Sequence, residues 1–210
     1  MNVADDFDFR SCREVAIMGG AFDPIHFGHL ATAQTVYENF NVDKVVLMPL
    51  GDAPHKAMKG ASAKNRYEMT RAAAASNDAL GVSALEVERT GKTYTVDTIA
   101  KIIEINPKLC IYFVMGADEV FAVDTWKEPE RLLKMCRFIA VTRPGFSGDR
   151  EKRKTELLRE KYGCDIYFLE VPAIDISSSE LRDRIRTGKS VEYFMPAEAL
   201  KYIEENNLYK

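Results

Sequence analysis

The 210-residue chain has three histidines, one tryptophan and four widely separated cysteines. No CxxC pair occurs, which leaves a zinc ribbon or a thioredoxin-like redox motif unsupported. No stretch approaches the roughly 18 apolar residues of a membrane span. The opening "MNVADDFDFRSCREV" is acidic and carries no apolar segment, so a signal peptide is not expected. There is no block of like charge. The densest run, "REKRKTELLREK" (150–161), mixes both signs and reads as a solvated helix face. With a net charge of −3, the chain offers no basic surface for long nucleic acid. A small anion held at helix ends stays compatible with that balance. Cys12, Cys110, Cys136 and Cys164 fit free thiols in a reducing, cytoplasmic compartment.

What is present is alternation. Apolar segments read as strands at 14–19, 43–49, 81–87, 109–116, 137–142 and 166–172. Several are nearly continuous in Val, Ile, Leu, Phe and Tyr, as in parallel strands covered on both faces. Helical patterns separate them at 28–40, 64–77 and 95–107, and others follow at 176–185 and 196–209. The order predicts an α/β fold, a doubly wound Rossmann-like parallel sheet of five to six strands with helices on both faces. One domain is expected over 13–210, preceded by an N-terminal extension over 1–12 that need not be ordered. In such sheets ligands sit outside the carboxyl ends of the strands. There the first strand ends at Gly19, the fourth at Gly116-Ala117-Asp118, and the sixth runs on into "AIDISSSEL".

Two segments carry chemistry. In "MGGAFDPIHFGHL" (18–30), Gly19 and Gly20 let backbone approach an anion. Asp23-Pro24 makes a turn, and His26 and His29 lie one turn apart where a helix opens. A helix N-terminus with two imidazoles suits phosphoryl or nucleotidyl transfer, which needs positioning and charge stabilisation above all. The plainer alternative is a pair of capping or solvent-exposed polar residues. His-x-x-His lacks the spacing and glutamate of a zinc-binding HExxH, so no protein metal site is expected. In "ISSSELRDRI" (176–185), Ser177 or Ser178 can cap a helix, with Arg182 one turn inside. Hydroxyls, free N–H groups and a guanidinium make a pyrophosphate clamp, against the alternative of an ordinary cap and a surface arginine.

Together these segments resemble the signatures of the H-x-G-H nucleotidyltransferases, G-G-x-F-D-P-x-H-x-G-H and I-S-S-x-x-[IL]-R. Further segments, "PLGDAPHK" (49–56), "ERTGKTYTVDTI" (88–99), "GADEVFAVDTWKEPERLL" (116–133) and "VTRPGF" (141–146), resemble the bacterial nicotinate-nucleotide adenylyltransferases. The resemblance covers about residues 14–210. It implies an enzyme of NAD biosynthesis that joins ATP and nicotinate mononucleotide into nicotinate adenine dinucleotide and pyrophosphate, with Mg²⁺ carried on ATP.

It also implies residue roles. His26 and His29 bind ATP phosphates, and His29 stabilises charge on the α-phosphate. Ser178, Ser179 and Arg182 hold the triphosphate, Asp118 contacts a ribose, and Lys56 reaches a phosphate. Gly19, Gly20, Phe22 and Gly116 complete the ATP site. Trp126 stacks on the pyridine ring, and the backbone of Tyr94 and Thr95 receives the nicotinate carboxylate. Taken alone, Trp126 reads as packing, and Thr95 and Asp118 as helix caps. Leu50 stands where relatives often have a small or polar residue, so a side-chain ribose contact is not expected there. Other readings are a related enzyme using nicotinamide mononucleotide or phosphopantetheine, and a non-catalytic nucleotide sensor. Homo-oligomer formation is left open.

Overall fold

In the computed structural model, residues 7–51 and 60–210 are described. Six strands form one sheet: β1 (Glu14–Gly20), β2 (Lys44–Pro49), β3 (Leu80–Val82), β4 (Cys110–Gly116), β5 (Arg137–Thr142) and β6 (Ile166–Glu170). Their order is β3-β2-β1-β4-β5-β6, and every pairing is parallel. Seven α-helices are described: α1 (Phe27–Asn39), α2 (Ala63–Ala74), α3 (Thr95–Ile105), α4 (Pro129–Met135), α5 (Asp149–Tyr162), α6 (Ser178–Arg186) and α7 (Ala197–Glu205).

Side chains alternate across the strands and build one core on each face. Val15 and Ile17 of β1, Val46 and Met48 of β2 and Phe138 of β5 face α3, α4 and α5. Ala16, Val45, Leu47 and Ile139 face α1, α2, α6 and α7. This double burial explains the unbroken apolar runs of β1, β2 and β5. Chain order reverses between β1 and β4, the switch point where such sheets open a crevice beyond their carboxyl ends.

Two expectations need correction. The third strand is three residues long, not seven. It pairs with β2 only as far as Val82, and by Ser83, which donates its N–H to Leu47, the chain is leaving the sheet. The apolar residues that follow cover the start of α3 instead of extending an edge strand.

Residues 7–12 are not a loose extension. Asp8 caps a short 3₁₀ turn, Phe9–Ser11. Phe9 is 2% exposed within the core on the α3 face, with Phe7 stacked edge-on at 5.0 Å. Asn106, at the end of α3, clamps the turn by donating to the carbonyls of Phe9 and Cys12. Phe9→Ala is therefore expected to lower the unfolding free energy by about 3 kcal/mol in urea titration, a cost that a dispensable extension would not show.

Candidate functional site

A cleft of about 610 Å³ opens beyond the carboxyl ends of β1, β4, β5 and β6. His26, Gly28, His29 and Thr32 line it from the start of α1, and Gly116–Asp118 from the end of β4. Val141–Arg143 and Phe146 form the wall after β5, with Val171, Pro172, Ile174 and Ile176 after β6. The end of β4 and the segment after β6 line this crevice directly, and the segment after β1 does so through His26, Gly28 and His29; Gly19, Gly20, Ser178, Ser179 and Arg182 are not among its lining residues.

His26 is the N-cap of α1 in extended conformation and His29 is its third helical residue. Their rings stack at 3.7 Å with 27° between planes. Gly28 makes this possible, because a Cβ there would stand 3.0 Å from His26 Nδ1. Gly20 serves a parallel purpose. A Cβ there would press into the Phe22 ring at 2.7 Å. Phe22, at a left-handed φ of 46°, turns its ring inward, 1% exposed, and meets His29 edge-on at 5.0 Å. Phe22 thus backs His29 and does not line the cleft.

The N–H of His26 donates to His29 Nδ1 at 3.3 Å. In a neutral imidazole the proton then sits on Nε2, which leaves that nitrogen as a donor. Burial lowers the pKa of His26 to about 4. Burial, with repulsion from His26 second, lowers that of His29 to about 3. Both rings are therefore neutral at pH 7, and His29 keeps its Nε2–H as a donor.

The second segment joins the first. Ser177 caps α6 by accepting from the Glu180 N–H. Ser178 Oγ donates to the carbonyl of Pro24 at 2.9 Å, and Arg182 Nη1 donates to the carbonyl of Asp23 at 2.6 Å. Arg182 Nη2 also reaches back to Ser179 Oγ at 3.2 Å. The N-terminus of α6 is thereby pinned to the turn that precedes the histidines.

Asp23 is the centre of this joint. Its Oδ1 accepts from the Ala61 N–H at 3.0 Å and from the Tyr209 hydroxyl at 2.6 Å, and its Oδ2 lies 3.8 Å from Arg182. Burial and the bond to Asp23 push the Tyr209 phenol far above its ordinary pKa. Arg66, 1% exposed, donates to the carbonyls of Ala21 and Leu50 and fixes the strand ends beside it. Leu50 contributes through its backbone, its own N–H donating to Gly20.

The remaining candidates lie on the α3 face. Trp126 is partly buried, edge-on to Phe113 at 6.1 Å, and the space over Gly19 also faces the Phe113 ring. Tyr94 is the N-cap of α3 and offers no side-chain cap, and Thr95 is the first helical residue, not the cap. Asp118 lies inside the 3₁₀ turn Ala117–Phe121, whose N-cap is Gly116. Trp126, Tyr94 and Thr95 do not line the 610 Å³ cleft. Behind them, burial raises the pKa of Glu86, whose carboxylate accepts the Thr98 hydroxyl at 2.7 Å. Lys56 lies outside the described residues.

Sequence reasoning missed Thr32, Arg143, Phe146 and Ile176 in the cleft, and Arg66 and Tyr209 behind it. "VTRPGF" marks two of these residues, Arg143 and Phe146, but only the resemblance gave it weight. Among the described residues no group of three or more His, Cys, Asp or Glu is arranged to hold a metal, and no helix is long and apolar enough to cross a membrane.

The chain matches the cytidylyltransferase-like family over residues 17–184. It is 44% identical over 198 residues to a protein of Thermoanaerobacter sp. named "probable nicotinate-nucleotide adenylyltransferase", covering 93% of this chain and 94% of that one. A relative of the same name from Moorella thermoacetica is 42% identical, with 93% and 91% covered. In fold, the chain is similar to Plasmodium falciparum nicotinic acid mononucleotide adenylyltransferase complexed with NaAD. The TM-score is 0.72 at 22% identity, with 94% of this chain and 97% of that one covered.

Two outcomes follow from the geometry. In the ligand-free protein, the ring resonances of His26 and His29 should not titrate between pH 5.5 and 8. Their folded pKa values lie below the unfolded 6.5, so their contribution to stability is present above pH 6.5 and is lost as pH falls toward 4 and 3. Tyr209→Phe removes a donor to a buried carboxylate and should cost about 2 kcal/mol by denaturant unfolding. An unchanged midpoint would mean that the hydroxyl does not hold Asp23.

Proposed function

The chain belongs to the cytidylyltransferase-like family and, within it, to the nicotinate-nucleotide adenylyltransferases, and on that premise we propose how its own residues transfer the adenylyl group of ATP to nicotinate mononucleotide. The observation that carries this is the junction of two segments more than 150 residues apart. Arg182 on Asp23 and Ser178 on Pro24 set an α-helix N-terminus beside the histidine pair. The free N–H groups, hydroxyls and guanidinium of that helix end, joined to the turn before the imidazoles that line the crevice, suit a triphosphate.

The acceptor's phosphate oxygen attacks the α-phosphorus of ATP in line, and pyrophosphate departs. That oxygen is already ionised near neutral pH, so the protein need supply no strong base. His29, and His26 stacked on it, donate hydrogen bonds to the α-phosphate oxygens as charge gathers there. Ser178, Ser179 and Arg182 hold the β- and γ-phosphates and then the pyrophosphate, and Lys56 adds a further phosphate contact. Gly19, Gly20 and Gly116 let backbone come close, and Asp118 accepts a ribose hydroxyl. The apolar wall of Val141, Phe146, Ile174 and Ile176 suits the adenine.

On the α3 face, Trp126 stacks on the pyridine and the first N–H groups of α3 receive its carboxylate. Mg²⁺ bound to the triphosphate supplies further charge neutralisation. Asp118 is the one carboxylate lining the cleft among the described residues, a donor set suited to a cation that arrives with its nucleotide. The four cysteines are unpaired, which supports a reducing, cytoplasmic setting.

The test is an acceptor panel with ATP and Mg²⁺, reading pyrophosphate release. Nicotinate mononucleotide should be the preferred acceptor over nicotinamide mononucleotide and phosphopantetheine. ATP binding without turnover on any of them would favour a nucleotide sensor. His29→Ala should lower kcat by roughly 10²–10³-fold with little change in either KM, because the lost bond is strongest in the transition state. Normal turnover by that variant would remove His29 from the mechanism.

A further inference from the structure

Lys127 has no part in the chemistry described so far, yet it occupies a telling position. It follows Trp126 directly, at the end of the strap that leaves the 3₁₀ turn Val123–Thr125. Its Nζ bonds both carboxylate oxygens of Asp97, at 2.9 and 3.2 Å, and lies 4.7 Å from the centre of the Tyr94 ring. Asp97 is the third residue of α3, in its first turn. One ammonium therefore ties the tryptophan strap to the N-cap and first turn of α3. Both partners are more than a third exposed, and pairs of that kind contribute little to folding.

The charge arrangement has a consequence for any anion at this helix end. A helix N-terminus attracts one carboxylate through its free N–H groups. The Thr95 and Val96 N–H groups have no acceptor within the helix. Asp97 is already a carboxylate in that first turn. Unpaired, it would repel a second one, and it would leave a neutral amide almost unaffected. Paired with Lys127 it contributes no net charge.

We propose that Lys127 is a specificity-determining residue. By neutralising Asp97 it keeps the N-terminus of α3 open to the carboxylate of the acid mononucleotide, and so sets the preference for acid over amide. This rests on the assignment of the pyridine carboxylate to that helix end. The residue acts through Asp97 and touches neither reacting phosphate.

The experiment compares kcat/KM for nicotinate and nicotinamide mononucleotides, with ATP and Mg²⁺, in the wild-type enzyme, Lys127→Met, Lys127→Arg, Asp97→Asn and the Lys127→Met/Asp97→Asn double variant. Lys127→Met should lower the acid value about tenfold, the scale of one unit charge acting across a few ångströms of partly exposed protein. It should leave the amide value unchanged. Lys127→Arg should keep the wild-type ratio, and the double variant, with no charge left, should return toward it. Asp97→Asn alone should raise the ratio, which provides a separate arm if Lys127→Met folds poorly. A wild-type preference for the acid with an unchanged ratio in Lys127→Met overturns this inference alone, as does an equal loss on both acceptors. No acid preference in the wild-type enzyme overturns the acceptor assignment and this inference with it.

Discussion

The Asp23 carboxylate and the two carbonyls beside it hold the site together. Four parts of the chain meet there: the turn after β1, the residue Ala61 that leads into α2, the N-terminal turn of α6, and Tyr209 at the second-last position. None of these contacts is large in energy by itself. Their effect is geometric, because the turn that carries Asp23 also sets the entry of α1 and hence the orientation of both imidazoles. Replacing the buried carboxylate would leave the Tyr209 phenol and the Ala61 N–H without their acceptor and Arg182 without its counter-charge, which is more costly than the bonds themselves are favourable.

The parallel sheet makes that joint useful. Its switch point divides the carboxyl edge into two sides. The histidines and α6 stand over the core of α1, α2 and α7, whereas Trp126 and the start of α3 stand over the core of α3, α4 and α5. Gly19 and Gly20 lie on the line between. A dinucleotide made by joining two mononucleotides needs such a bipartite floor, with the bond forming where backbone comes closest to both halves. The cleft of 610 Å³ suits one half, and on the proposed reading the N-terminus of α3, with Tyr94, Thr95 and Asp97 half-buried, anchors the other.

Legibility in the sequence followed the range of the interaction. The strand at 137–142 was readable to the residue, because every position in it reports local burial. The junction of 23 with 182 was inferable only because two short segments each had a local chemical signature at a strand end. Tyr209 gave no such signal. Its partner is 186 residues away, and a tyrosine near a chain terminus looks like any surface tyrosine. The third strand was overread because the apolar pattern continues past Val82 into a loop whose Leu85 packs on the α3 face. The protonation of the histidines was beyond reach as well, since it depends on burial and on the ring of one lying against the other.

A chain of net charge −3 that holds a triphosphate cannot rely on overall attraction. On the proposed reading, this one relies on donors that carry no net charge while the site is empty: two neutral imidazoles, serine hydroxyls and the ends of helices. Arg182 at the joint is balanced by Asp23 and steadied by Ser179, and the buried Arg66 beside it donates to the carbonyls of Ala21 and Leu50. The histidine pair, being neutral, adds no like-charge repulsion to the unligated fold. Its attraction grows with the negative charge that enters, and it is strongest where charge accumulates during transfer. The Lys127–Asp97 pair follows the same logic at the other half of the floor. On that reading a charge built into the fold is cancelled locally, so that the helix end responds to the charge of the ligand alone.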